Sequence, residues 1–190
     1  MTLLFDVLPT AFAAHHPGGK VKTALPPGLR GDAEFSECRC YRRKLRRWIG
    51  DQFPERHMLF IGMNPSTADA IANDPTITRE WGFAAREKFT GYVKINVGDY
   101  RATSPADLLK PGVTACSPEN IGVIAEAAKC ASAVVVCWGK VNGALKPAAT
   151  GTAHMLRGLG IDLWCFGTNA DGSPKHPLYL RGDTPLVRFG

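Results

Sequence analysis

The chain has 190 residues, of which 45% are hydrophobic and 21% are charged. This composition is ordinary for a soluble globular protein, and the length suits one domain with a substantial core but not two comfortable ones. No apolar run approaches the roughly 20 residues that span a bilayer, so no membrane segment is predicted. No basic region precedes the mildly apolar stretch from Met1 to Ala14, so no signal peptide is expected.

The formal net charge is +6, and many of the basic residues cluster between Arg39 and Arg47. Such charge attracts polyanions such as nucleic acid or a nucleotide; a solvated strand face is the alternative. Six scattered cysteines fit a cytoplasmic chain with reduced thiols. Cys38 and Cys40 lack a second pair at zinc-finger spacing, and the histidines form no ligand pattern, so no metal site is predicted.

Residues 1–36 are rich in Gly, Pro and Ala, which predicts an irregular, partly mobile extension before a single domain at 37–190. Cys40 to Ile49 is interpreted as a strand that adds an edge or a hairpin to the sheet. Four apolar strands follow, and helices separate them. The strands are predicted at 57–63, 92–97, 133–138 and 161–166, and the helices at 74–89, 104–110, 117–130 and 150–157.

Three of these helices are predicted to begin with a capping residue followed by proline, at Asp74-Pro75, Ser104-Pro105 and Ser117-Pro118. Short apolar strands that alternate with helices indicate an α/β fold. We therefore expect a three-layer α/β/α sandwich with a central, mostly parallel four-stranded sheet.

Polar residues follow the predicted strands. Asn64 comes after the first strand, Asn96 lies on the second, Lys140 follows the third, and His176 lies in the loop after the fourth. Ligands bind at the carboxyl ends of strands in open α/β sheets, so we expect these residues to converge on one site. Asn-Pro also initiates turns, so a purely structural role is the alternative for Asn64.

Several motifs of the chain are specific enough to compare with known families. They are Asn64-Pro65-Ser66-Thr67-Ala68-Asp69, Asp74-Pro75-Thr76, Asn96, Tyr100-Arg101-Ala102-Thr103 and His176-Pro177-Leu178-Tyr179-Leu180. Together they resemble a family of uncharacterised bacterial and phage proteins that is known mainly as a domain of unknown function. The resemblance extends from about Cys38 to Phe189.

The order Gly-x-Asn-Pro, Asn-Val, Trp-Gly-Lys and His-Pro along the chain also resembles, more distantly, the uracil-DNA glycosylase superfamily. That resemblance implies an enzyme whose partner is nucleic acid, DNA in particular. The enzyme would flip a damaged or modified base into a pocket and hydrolyse its N-glycosidic bond without a cofactor. It implies that Asn64 positions the attacking water and that Asn96 reads the base edge. His176 would hydrogen-bond the carbonyl oxygen that gains charge.

The other candidate residues complete this picture. Leu178 or Tyr179 would be the wedge that fills the vacated stack, and Phe83 or Tyr100 would stack on the base. Asp69 and Asp74 are either helix caps or the source of a general base, which an amide cannot be. The remaining substrate-binding candidates are the loop residues Gly62, Met63, Pro65 and Ser66 and the two cations Arg101 and Lys140.

Two other functions are compatible with the same residues. The first is a nucleotide- or nucleoside-processing enzyme, or a base-modifying enzyme, that uses the same pocket. The second is a non-catalytic nucleic-acid-binding protein that has the fold without the reaction. A monomer is expected in each case.

Overall fold

The computed structural model of the protein describes residues 22–141 and 143–190, which form a mixed α/β structure. The strands are β1 (Thr23–Ala24), β2 (Leu29–Phe35), β3 (Arg42–Ile49), β4 (Met58–Gly62), β5 (Ala72–Asn73), β6 (Gly91–Asn96), β7 (Ala133–Val136), β8 (Leu163–Cys165) and β9 (Val187–Arg188). The α-helices are α1 (Pro75–Arg86), α2 (Asn120–Cys130) and α3 (Lys146–Gly158). Short 3-10 helices cover Pro105–Leu109, Gly143–Leu145 and Pro177–Tyr179. Within the described ranges, no helix is long and apolar enough to cross a membrane.

Seven strands form one mixed sheet in the order β2-β3-β6-β4-β7-β8-β9. The pairs β6–β4, β4–β7 and β7–β8 are parallel. On one side of this group, β2 and β3 form an antiparallel hairpin, and β3 pairs antiparallel with β6. On the other side, the tail strand β9 pairs antiparallel with β8. The sheet is therefore wider and more mixed than the four-stranded sheet that the sequence predicted. β1 and β5 form a separate two-stranded sheet.

The core lies on both faces of the sheet. Successive residues of a strand point to opposite faces, and the central strand β4 is buried over its whole length. Leu59 and Ile61 belong to the hydrophobic cluster that includes α2 and α3, whereas Met58 and Phe60 belong to the cluster that includes α1. Hydrophobic side chains pack against both faces of this strand, which explains why it appears in the sequence as a continuous apolar run.

The prediction of an irregular extension up to residue 36 is wrong for its second half, because residues 29–35 form β2 and Thr23–Ala24 form β1. β2 lies at the edge of the sheet and most of its residues are at least partly exposed, so it lacks an apolar pattern. Its strand conformation depends on pairing with β3. The first 21 residues of the predicted extension lie outside the described residues.

Two of the three predicted helix starts are confirmed, since Asp74 caps α1 and Ser104 caps the following 3-10 helix. The prediction for Ser117 is wrong, because α2 begins at Asn120. The backbone N–H and hydroxyl of Ser117 donate to the two carboxylate oxygens of Asp99, at 2.7 and 2.6 Å. Ser117 therefore holds the end of the preceding loop, and its side chain does not cap the helix.

Candidate functional site

A cavity of about 710 Å³ opens where the parallel strands end. Its lining comes from the segments that follow β4, β7 and β8 and from the first turn of α1. Eight of the predicted site residues line it, namely Met63, Asn64, Ser66, Asp74, Lys140, His176, Leu178 and Tyr179. The expected convergence of strand ends thus brings Asn64 and His176 to one cavity, although they are far apart in the sequence.

The other predicted site residues do not line this cavity. They are Gly62, Pro65, Asp69, Phe83, Asn96, Tyr100 and Arg101. Phe83 is 1% exposed and stacks on Phe166, with 4.2 Å between ring centroids, so it belongs to the core. Tyr100 makes an edge contact with Tyr41 at 5.6 Å. Arg101 is buried and donates to the carbonyl oxygen of Arg39.

Asp69 serves the loop that carries it. One carboxylate oxygen accepts the backbone N–H groups of Ile71 and Ala72, and the other pairs with Lys22 at 2.9 Å. Burial raises the pKa of Asp69, but the Lys22 ammonium and the two N–H groups outweigh burial and lower the pKa overall. With both oxygens occupied, Asp69 is a loop-organising residue and is poorly suited to act as a general base.

Asn64 is held in one orientation by its amide nitrogen. Nδ2 donates to the carbonyl oxygen of Ala102 at 2.7 Å and to that of Pro65 at 3.3 Å. Both partners are acceptors, so the atom that faces them must be the nitrogen. The carbonyl oxygen Oδ1 is then the side-chain atom of Asn64 that is left to accept a hydrogen bond.

Asp74 combines a structural bond with a place in the cavity. Its Oδ1 accepts the N–H of Ile77 at 2.9 Å, which satisfies one free donor of the first turn of α1. It is also the only carboxylate among the described residues that line the cavity. The cap fixes the side chain so that one oxygen holds the helix, and the second oxygen has no hydrogen bond within the described part of the chain.

His176 lines the cavity as a neutral imidazole. Burial, with the nearby Lys94 charge, lowers its pKa to about 4, although Asp74 opposes the shift. Nδ1 accepts the N–H of Leu178 at 3.3 Å, so the proton of the neutral ring is on Nε2. The backbone of Gly139 (φ 76°) packs against the same side chain, and a Cβ there would be 2.9 Å from His176 Cβ. The residue is therefore a fixed hydrogen-bond donor.

Asn96 lies in the sheet beside the loop of Asn64. It pairs in register with Gly62, is 1% exposed, and its Nδ2 has no hydrogen-bond partner in the described structure. A Cβ on Gly62 would be 2.6 Å from Lys94 Nζ and 2.8 Å from Asn96 Oδ1. Gly62 is consequently required by the close approach of two polar side chains, which is a packing role.

A buried ion pair lies on the same face of the sheet. Lys94 Nζ donates to Glu80 Oε1 at 2.5 Å, and the two side chains are 5% and 0% exposed. The thiol of Cys137 lies 3.7 Å from the same carboxylate oxygen, and burial raises the pKa of this thiol to about 12. Lys94 is on β6 and Glu80 on α1, so the pair fastens the helix whose first turn lines the cavity to the middle of the sheet.

The basic residues of β3 hold protein groups. Arg42 is buried and donates to the carbonyl oxygen of Ala68 at 2.9 Å. Burial lowers its pKa to about 10, with the Asp74 charge opposing the shift, so it stays charged at neutral pH. Arg47 is fully buried and donates to the Asn73 side chain at 2.7 Å and to two backbone carbonyls of the same loop. These two arginines fasten the loop between β4 and α1, which contributes to the cavity.

The other cations of this segment also have partners. Arg43 pairs with Glu119, Lys44 with Glu34, and Arg46 with Asp32, while the Arg39 guanidinium lies over the Phe35 ring. Each cation of residues 39–47 therefore has an acidic, carbonyl, amide or aromatic partner within the protein. The expectation that this segment attracts a polyanion stays a prediction.

Sequence reasoning missed several cavity residues, including Thr76, Trp138 and Lys175. Each was marked by position: Thr76 follows the predicted helix cap, Trp138 ends an apolar strand, and Lys175 precedes His176. No group of three or more His, Cys, Asp or Glu side chains that could hold a metal ion occurs within residues 22–141 and 143–190.

Comparison with known proteins gives a family without an assigned activity. Neither the curated proteins nor the solved structures yield a match to this chain. A family described as "Protein of unknown function (DUF1643)" matches residues 42–178, which is most of the chain and contains nearly every cavity residue. The resemblance to an uncharacterised family is thereby confirmed, and the chain belongs to the DUF1643 family.

Proposed function

We propose that this protein hydrolyses the N-glycosidic bond of a damaged or modified base in nucleic acid. The observation that carries the proposal is the shared cavity of Asn64, Asp74 and His176, which supplies an acceptor oxygen, a carboxylate and a neutral imidazole donor. A volume of about 710 Å³ is in the range of small-ligand pockets. The proposal includes a three-layer α/β/α architecture of the uracil-DNA glycosylase type.

The proposed reaction assigns one step to each of these residues. Asn64 Oδ1 accepts a hydrogen bond from a water molecule, and the second oxygen of Asp74 takes a proton as the water oxygen bonds to the sugar C1′. The electron pair of the C1′–N bond leaves with the base. His176 Nε2–H stabilises the base oxygen that gains this charge, and the released proton finally neutralises the base. The products are the free base and an abasic sugar.

A free nucleoside or nucleotide is the second candidate substrate, and one observation favours it. Six cations of the segment 39–47 are engaged with protein groups, so few are left to follow a long phosphate backbone. Two exposed lysines, Lys140 and Lys175, line the cavity. They are enough to hold the phosphate of a single nucleotide.

A panel of oligonucleotides that carry uracil, hypoxanthine, hydroxymethyluracil and other modified bases tests the proposal directly. We expect abasic product from at least one of them, and loss of about 100-fold or more in rate for Asn64→Ala and for His176→Ala. His154→Ala is the matched control, because His154 is exposed on α3 and does not line the cavity. Product is measured by strand cleavage at the abasic site.

The same experiment separates the alternatives. Release of base from free nucleosides or nucleotides, with no preference for the oligonucleotide, would move the assignment to the second candidate. Salt-dependent oligonucleotide binding with no abasic product on any base would leave a non-catalytic binding protein and overturn the hydrolase.

A further inference from the structure

The motif Cys38-x-Cys40 lies in the hairpin turn between β2 and β3, on a part of the molecule distinct from the cavity. Two backbone hydrogen bonds close the turn, from Ser36 N–H to the Tyr41 carbonyl at 3.0 Å and from Arg39 N–H to the Ser36 carbonyl at 2.9 Å. Arg39, between the cysteines, has φ 57°. A residue in the left-handed region makes the chain more compact than an extended strand. This favours a disulfide between its two neighbours, because disulfide-bonded Cα atoms lie only about 4.4–6.8 Å apart.

The two thiols differ in exposure and in acidity. Cys38 is exposed, and its sulfur lies 3.3 Å from the hydroxyl of Ser36. Hydrogen bonds from that hydroxyl and from the Cys40 backbone lower the pKa of Cys38. Cys40 is half-buried, its sulfur donates to the Cys38 carbonyl at 3.6 Å, and burial raises its pKa to about 11. Cys38 is thus the stronger nucleophile, and Cys40 stands beside it as a second thiol.

We propose that Cys38 and Cys40 form a thiol-modification site that reacts with low-molecular-weight disulfides and closes into an intramolecular disulfide. The Cys38 thiolate attacks one sulfur of the small disulfide, a mixed S–S bond forms, and the other half leaves as a thiol. The Cys40 sulfur then attacks the Cys38 sulfur, and the second half leaves. The two cysteines are oxidised, the small disulfide is reduced to two thiols, and the cysteine protons end on those thiols.

This turn is hydrogen-bonded to the segment that orients Asn64. The Cys40 carbonyl accepts the N–H of Arg101 at 2.8 Å. The next residue, Ala102, accepts the Asn64 amide at 2.7 Å and donates its own N–H to the Pro65 carbonyl at 2.9 Å. Closing a disulfide across one intervening residue changes the backbone at Cys40, and the change reaches Asn64 through two hydrogen bonds. The site therefore has a route to the cavity that is independent of the reaction proposed there.

Oxidised glutathione and the reduced, full-length protein test the chemistry. Peptide mass spectrometry is expected to find Cys38 linked to Cys40, and Cys40→Ser is expected to accumulate the glutathione adduct on Cys38. Cys130, exposed at the end of α2, is the internal control, and Cys38 should react several-fold faster than Cys130 at neutral pH. Cys130→Ser should leave the Cys38–Cys40 link unchanged. Equal rates at Cys38 and Cys130, or no link in the wild type, would overturn the proposal.

NMR spectroscopy tests whether closing the Cys38–Cys40 disulfide affects Asn64 in the cavity. The side-chain amide signals of Asn64, assigned in ¹⁵N NMR spectra by their loss in Asn64→Asp, are expected to shift when the disulfide closes. They should not shift when oxidised glutathione is added to a Cys38→Ser/Cys40→Ser variant. Closure of the disulfide with unchanged Asn64 signals would refute the coupling.

Discussion

The carboxylate of Asp74 has two roles, since it caps α1 and is the proposed general base. One substitution separates the two roles. Asparagine caps helices about as well as aspartate but cannot take a proton. We expect Asp74→Asn to keep the stability of the protein within about 1 kcal/mol and to lower the rate of base release by about 100-fold or more. Denaturant unfolding and the abasic-site assay measure the two quantities.

The matching variant is Asp74→Ala, which removes both functions and should also cost about 0.5–2 kcal/mol of stability through the lost cap. Full activity in Asp74→Asn would limit Asp74 to capping. It would also require that the water be activated without any protein carboxylate from the described cavity lining.

His176 makes stability depend on pH. Its pKa is about 4 in the folded protein and about 6.5 when unfolded, so the unfolded state binds more protons between these values. Stability is therefore lost as the pH falls from about 6.5 towards 4, and the group has little effect at higher pH. At about pH 5 we expect a loss of about 1–2 kcal/mol relative to pH 7, allowing for the partial exposure of the ring.

His176→Gln is the variant that isolates this contribution, because glutamine cannot take up a proton. Urea unfolding at the two pH values should show a smaller acid-induced loss for the variant than for the wild type. An equal loss in both proteins would mean that His176 is protonated in the folded state as readily as in the unfolded state.

The buried ion pair between Lys94 and Glu80 holds the helix α1 against the strand β6. Breaking one partner leaves the other charge buried and unpaired, so Lys94→Met is expected to cost about 3–5 kcal/mol in the free energy of unfolding. The double variant Lys94→Met/Glu80→Met should recover most of that loss, since it leaves no unpaired charge. Guanidinium unfolding measures both variants. A cost below about 1 kcal/mol for the single variant would show that Glu80 reaches water in the folded protein.

The elements themselves were largely predictable from local patterns. The central strands stand out as apolar runs, and Asp74-Pro75 marks the start of α1 through a hydrogen bond that only neighbouring residues make. β2 was not predictable, because an edge strand with partly exposed residues shows no apolar periodicity. Ser117 shows the same limit, since its N–H and hydroxyl donate to Asp99, 18 positions earlier, and α2 begins only at Asn120.

Across the whole molecule, the positive charge available to a ligand lies elsewhere than the sequence suggests. The net charge is +6, and many of the basic residues cluster at 39–47 in the sequence. The cations of β3 contact carboxylate, carbonyl or amide oxygens of the protein, whereas Lys140 and Lys175 are exposed at the cavity. We expect Lys140→Ala/Lys175→Ala to weaken binding of a single-stranded oligonucleotide and to reduce its salt dependence by about 1.4 in the log–log slope, from about 0.7 for each of two phosphates. Fluorescence anisotropy at several salt concentrations gives both values.

The control for this prediction is Arg43→Ala/Lys44→Ala, which removes the same amount of charge from β3. Its binding and salt slope should stay close to those of the wild type. If the β3 variant loses affinity instead, the surface pairs with Glu119 and Glu34 open readily and the strand is the phosphate-binding surface after all.

The amino-acid sequence was sufficient to predict the α/β class, the central strands, the caps of α1 and of the first 3-10 helix, and the position of Asn64 and His176 after strands. These follow from periodicity and from bonds between near neighbours. Folding brings Asn64 and His176 to one cavity and leaves Asp69, Phe83 and Asn96 out of its lining. It also places the Arg42 and Arg47 side chains of β3 against groups of the loop between β4 and α1. Local patterns cannot predict these features, because burial, ion pairing and the protonation of His176 depend on groups that are distant in sequence and meet only in the folded sheet.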